Sequence, residues 1–132
     1  MKQHATTLIL FLIVLLAAFI IGMSIFSQQL LRKDSEKLKA EIDITVKYAE
    51  NENWKDAESS INELGRIWSD VKGSWSALID HAEIDNIDVT LSQLQTLVKA
   101  KELPDTLSES AALKTYIGHI PEKERLKLEN LF

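Results

Sequence analysis

Nineteen consecutive residues, Leu8 to Phe26, read LILFLIVLLAAFIIGMSIF, and no Asp, Glu, Lys or Arg occurs between residues 3 and 31. As a helix this run would span roughly 28 Å, about one hydrocarbon core. Fourteen of the nineteen are Leu, Ile, Val or Phe. At about −0.3 to −0.6 kcal/mol each they favour insertion by on the order of −4 to −8 kcal/mol, and no charge opposes them. A cleavable export signal has a shorter apolar region, about 7–15 residues, closed by a small-x-small site. The best such site here, Gly22-Met23-Ser24, is followed by more apolar residues. The run therefore reads as an uncleaved, single-pass N-terminal anchor over residues 1–27, ahead of a helical domain over residues 28–132.

Two signals disagree on orientation. Arg32, Lys33, Lys37 and Lys39 follow the run closely, while only Lys2 and the amino terminus precede it. Counted literally, this asymmetry keeps the C-terminal domain in the cytoplasm. A short lysine-bearing tail before a strongly inserting segment favours export instead. The expectation is a cell-membrane protein with an extracytoplasmic C-terminal domain. Ala18 and Gly22 form a small-xxx-small pair that permits close helix approach, which leaves a homo-oligomer open.

Beyond the run the chain is polar with periodic apolar positions. Setting Lys2 aside leaves 14 basic against 20 acidic residues, a net charge of −6. Such a domain is repelled by phosphate backbones, so nucleic-acid binding is not expected. With no cysteine, thiolate catalysis and Cys-based metal sites are excluded.

The most regular pattern runs from Trp54 to Ala82. Apolar residues fall at Trp54, Ala57, Ile61, Leu64, Trp68, Val71, Trp75, Leu78 and Ala82, in alternating steps of three and four. That spacing lines one face of an α-helix, and one helix cannot bury such a stripe alone. All three tryptophans lie on it. Residues 28–50 carry a second stripe at Leu31, Leu38, Ile42, Val46 and Ala49, on a helix that can continue from the anchor. Asn53 is placed to cap the central helix, with Asp56 in its first turn. Gly73 is where a kink is expected. Ile84, Ile87, Leu91, Leu94 and Val98 mark a further helix, closed before Pro104. Thr106-Leu107-Ser108-Glu109 matches a capping box for a last helix ending at Pro121. Its tail, with Leu126, Leu128, Leu131 and Phe132, is expected to pack down. The fold class is all-α: an anchor helix and a small bundle of about four helices. The expected core comprises Trp54, Ile61, Leu64, Trp68, Val71, Trp75, Leu78, Leu91 and Leu94.

Trp68 and Trp75, the stretch Asp80-His81-Ala82-Glu83-Ile84-Asp85-Asn86-Ile87-Asp88, and the groups His119-Ile120-Pro121-Glu122-Lys123-Glu124 and Glu129-Asn130-Leu131-Phe132 resemble a small bacterial membrane-protein family, domain of unknown function 4363. The resemblance implies one N-terminal membrane segment, a helical domain and no assigned activity, so it carries no catalytic residues over.

The densest polar cluster is Asp80, His81, Glu83 and Asp85, with Asp88 beyond. One imidazole and several carboxylates are a candidate cation or interaction site. The same acids also suit the first turn of a helix on dipole grounds. A tryptophan row is a candidate sugar platform, but its periodicity reads first as core. No catalytic triad, H-E-x-x-H or phosphate loop is present, so no enzyme activity and no cofactor are expected. The functional expectation is a membrane-tethered helical interaction module, an assembly or regulatory subunit for a protein partner at the membrane. The alternative is an extracytoplasmic ligand-binding or sensing domain for a cation or cell-wall glycan.

Overall fold

Four helices, α1 (Lys2–Glu50), α2 (Trp54–Leu78), α3 (His81–Ala100) and α4 (Leu103–Leu131), make up the computed structural model, which describes residues 1–131 apart from the Lys2 side chain. Phe132 and the charge of Lys2, both used above, lie outside the described residues. No strand occurs among the described residues, and the fold is all-α. Connectors of two or three residues force an up-down-up-down order. α1 packs against α2 and α4, and α3 packs against the same two, so the helices close a square.

α1 runs unbroken for 49 residues, about 74 Å at 1.5 Å per residue. Neither glycine nor proline interrupts the chain between Gly22 and Gly65, so nothing separates the apolar run from the first bundle helix. The most apolar window, with mean hydropathy 3.1, buries none of its residues within the protein. Burial begins at Leu31 and continues through Leu38, Ile42 and Ala49. α1 is thus two helices in physical character, one exposed and apolar, one amphipathic. By length and composition it is able to cross a bilayer.

α2 begins as expected. The Asn53 side chain accepts a hydrogen bond from the Asp56 N–H at 3.4 Å and donates one to Asp56 Oδ2 at 2.7 Å. Along the stripe, Ala57, Ile61, Leu64, Trp68 and Trp75 are buried, joined by Ile67. The Trp68 and Trp75 rings meet edge to face, 5.6 Å apart at 89°, a favoured aromatic geometry. Leu91 and Leu94 of α3 are buried in the same cluster. Trp54, Val71 and Leu78 pack against it but are only half-buried. Trp54 and Leu78 are the first and last residues of α2, at opposite ends of the bundle. Small hydroxyl residues fill the close α1–α2 approach: Thr45 and Ser60 are buried with oxygens 2.8 Å apart, and Ser60 donates to Glu41 Oε1 at 2.7 Å.

Three differences from the sequence expectation lie in α2 and at the start of α4, and a fourth, at Pro121, is described with the site. First, α2 ends at Leu78 rather than Ala82, because Ile79 is extended and closes the helix. Ala82 is exposed in the first turn of α3. Second, α2 passes through Gly73 without a break. Third, α4 begins at Leu103, with Pro104 in the first turn, where its missing N–H costs nothing. Thr106 therefore lies inside the helix rather than capping it. Its N–H donates to the Glu102 carbonyl at 2.9 Å. Thr106 and Ser110 are both buried, and neither hydroxyl has a partner among the described residues.

Gly73 supplies a direct check. It is exposed in a helix interior, and a Cβ built there meets nothing within 4 Å. Gly73→Ala should stabilise the chain by about 0.5–1 kcal/mol by restricting the unfolded state. For a bundle this size that raises the melting temperature by about 2–8 °C. A lower melting temperature would mean that the helix needs the glycine.

Candidate functional site

The acidic cluster sits at the corner between α2 and α3. Asp80 is the N-cap of α3, but its side chain makes no capping bond. Glu83 accepts from Lys123 Nζ of α4 at 2.7 Å. Asp80 lies 3.8 Å from Lys123 and 4.0 Å from Lys127. The hydrogen bond and charge of Glu83 raise Lys123 above the usual lysine range. His81 and Asp85 are exposed and take no part in this network. Among the described residues no group of three or more His, Cys, Asp or Glu converges as metal ligands would. The four candidate residues are thus divided: Asp80 and Glu83 tie the start of α3 to the end of α4, while His81 and Asp85 face solvent. Solvent reaches all of these pairs and screens them, so they position the helix ends more than they stabilise the fold.

Asp88, one turn further on, belongs to the core rather than the cluster. It accepts from Trp68 Nε1 at 2.7 Å and from Lys72 Nζ at 2.6 Å. Burial pushes its carboxyl up, but the hydrogen bonds of Lys72 and Trp68 and the charge of Lys72 outweigh this and hold it below the usual range. Trp75 Nε1 donates to Asp34 of α1 at 3.1 Å. Each buried indole therefore has an acceptor on a neighbouring helix. That fixes the rings as core and puts two of the three out of reach of a sugar.

What the sequence reading missed lies at the end of α4. Pro121 does not stop this helix, which continues ten residues to Leu131. Proline has no N–H, so the Ile117 carbonyl one turn earlier loses its helical donor. Ser35 Oγ of α1 supplies one at 3.1 Å from a buried position. Gln28 Nε2 of α1 donates to the Pro121 carbonyl at 2.7 Å. Two side chains of α1 thus anchor α4 across the proline, and the helix runs back along α1. The residues beyond Pro121 do pack against α1 in part: Leu128 is half-buried, while Leu126 and Leu131 remain exposed.

A groove of about 830 Å³ opens between the middle of α1 and the C-terminal part of α4. Ile21, Ile25 and Leu128 line one end, and Arg32, Glu122 and Arg125 are among the residues of the rest. Gln28 also lines it, with Oε1 buried and without a partner among the described residues.

The Ser35 contact is testable as a pair. Ser35→Ala should leave the Ile117 carbonyl unsatisfied at about 1–3 kcal/mol. Pro121→Ala restores the missing N–H, so Ser35→Ala should cost markedly less in that background. Equal costs in the two backgrounds, read by chemical denaturation, would show that the hydroxyl does not replace the helical donor.

No curated protein and no solved structure matches this chain. A family model does, over residues 25–131, from the last two residues of the apolar run to the end of α4. The chain belongs to the family described as Domain of unknown function (DUF4363).

Proposed function

We propose that the protein is a membrane-tethered helical interaction module, an assembly or regulatory subunit that binds another protein at the cell membrane, with its bundle on the exported side. The observation that carries this reading is the continuity of α1. One helix joins an apolar run, whose most apolar window has no buried residue, to a bundle whose buried α1 residues begin five residues after Phe26, at Leu31. A bundle so closely joined has little freedom to move from the bilayer surface, which restricts its partners to that surface. Two features add support: the acidic pairs are engaged within the fold, and the tryptophans are used in the core. A surface of this kind recognises macromolecules by shape and charge rather than by a built chemical site.

Crosslinking of the full chain in native membranes tests the proposal. A reproducible protein partner, lost when exposed residues of the bundle are substituted, is the expected result. Recovery of bulk lipid and abundant proteins alone would count decisively against it.

A further inference from the structure

We infer that the outer face of α1 and α4 pairs with the same face of a second copy of the chain. The two copies close a further four-helix bundle, made of two α1 and two α4 helices. This adds a second copy to the partner proposed above, and it holds with or without a bilayer. Within one chain the face is unfinished. α1 packs on α2 and α4, and the groove outside its contact with α4 is lined by those two helices alone.

Charge identifies what completes it. The groove carries three cations, Arg32, Lys39 and Arg125, and three acids, Glu36, Glu122 and Glu129. Lys39 pairs with Glu36 at 3.0 Å, and Arg125 with Glu129 at 3.1 Å. Arg32 and Glu122 are exposed, and neither makes an ion pair among the described residues. One spare charge of each sign, on opposite walls, is self-complementary under a two-fold axis. Arg32 of each copy then meets Glu122 of the other, and all four charges are paired. The levels agree. Gln28 holds the Pro121 carbonyl, so Glu122 lies near the level of Gln28. Arg32 stands four residues further along α1, about 6 Å, a step that an arginine stem spans.

Shape favours the same occupant. Beyond Glu122 the outer side of α4 is made of small residues, Ala111, Thr115 and Gly118, along a shallow recess that continues the groove. A Cβ built at Gly118 meets only the Lys39 side chain, at 3.5 Å. Small residues at a helix contact let the axes come close. At the other end lie Ile21, Ile25 and Leu128. A two-fold axis parallel to the helices sets this apolar end against its own copy. The reversed pairing would set Ile21 and Ile25 against Lys39 and Lys114. In the parallel arrangement each α1 lies between its own α4 and that of the other copy, antiparallel to both, as in an up-down four-helix bundle. Both apolar runs then point the same way, as two anchors in one membrane must.

The test uses the full chain in mild detergent, with mass read by light scattering over a range of protein concentrations. Wild type should form a particle of two chains. Arg32→Glu and Glu122→Arg each replace two opposite-charge pairs by two like-charge contacts, and each should weaken the dimer on the order of tenfold. Mixed in equal amounts, the two variants should pair with each other as tightly as wild type, because the mixed dimer restores both pairs. Such a rescue arises only between chains. Gly118→Trp fills the approach from a half-buried position outside the core, and should give single chains of undiminished helical content. Lys55→Gln, exposed at the start of α2, should dimerise as wild type does. A single-chain mass for wild type at every concentration, an undiminished dimer in Gly118→Trp, or no rescue on mixing would each overturn the interface. The membrane tether is read separately, by alkaline extraction, and stands or falls without it.

Discussion

Trp75→Ala should destabilise the bundle by about 3–5 kcal/mol, the range for a large aromatic removed from a close-packed core. The ring is fully buried, packs edge to face on Trp68, and donates to Asp34. The substitution therefore removes apolar burial, an aromatic pair and a hydrogen bond to another helix at once. A bundle of this size has a total stability of about 5–15 kcal/mol, so such a loss leaves a poorly populated native state near 37 °C. Trp68→Ala belongs to the same class, with the added cost of unpairing Asp88. Thermal or denaturant unfolding of the full chain in detergent reads both. Near-wild-type melting of either variant would show that its ring is not core.

The second large effect is on insertion. Leu15→Arg with Ala18→Arg places two charges at the centre of the apolar run. Each arginine costs about 2.5–3.5 kcal/mol there, so the pair cancels most or all of the roughly −4 to −8 kcal/mol that favours the membrane. Both residues are exposed and remote from the bundle core. The variant should leave the alkali-resistant membrane fraction while its bundle melts as before. Continued resistance to alkaline extraction would show that the run is not what holds the chain to the membrane.

Much of this architecture was legible because it depends on local periodicity. The stripe from Trp54 to Trp75 placed α2 and most of its core, and the lack of breakers from Gly22 onward left α1 free to be continuous. Asn53 and Asp56 marked a helix start through a contact three residues long. The misreading at Pro121 hinges on a partner distant in sequence, and the one at Thr106 on a local competitor for the helix start. Pro121 reads as a helix end because a lost N–H is usually fatal to a buried helix, yet Ser35, 82 residues before Ile117, replaces the donor to the Ile117 carbonyl. Thr106-Leu107-Ser108-Glu109 has the letters of a cap, but Pro104 starts the helix earlier and turns Thr106 inward.

The candidate site followed the same rule. Asp80 and Glu83 look like free ligands until Lys123 and Lys127 arrive from the other end of the domain. The groove required both lessons together. Only a helix that continues past Pro121, against an α1 that continues into the apolar run, brings Leu128 beside Met23. Gln28 and Ser35, polar residues on the inward side of an otherwise apolar stripe, were the signal available in the sequence.

The claim on which the rest depends is that α1 carries the chain through a bilayer and holds the bundle on the exported face. The absence of cysteine makes a direct measurement clean, since a single introduced thiol is the only one in the chain. Ser69 is exposed on α2, and Gln3 is exposed before the apolar run. In intact cells a membrane-impermeant maleimide should label Ser69→Cys at once and label Gln3→Cys only after permeabilisation. Labelling of Gln3→Cys with protection of Ser69→Cys would place the bundle inside, and protection of both until permeabilisation would remove it from the exported face altogether.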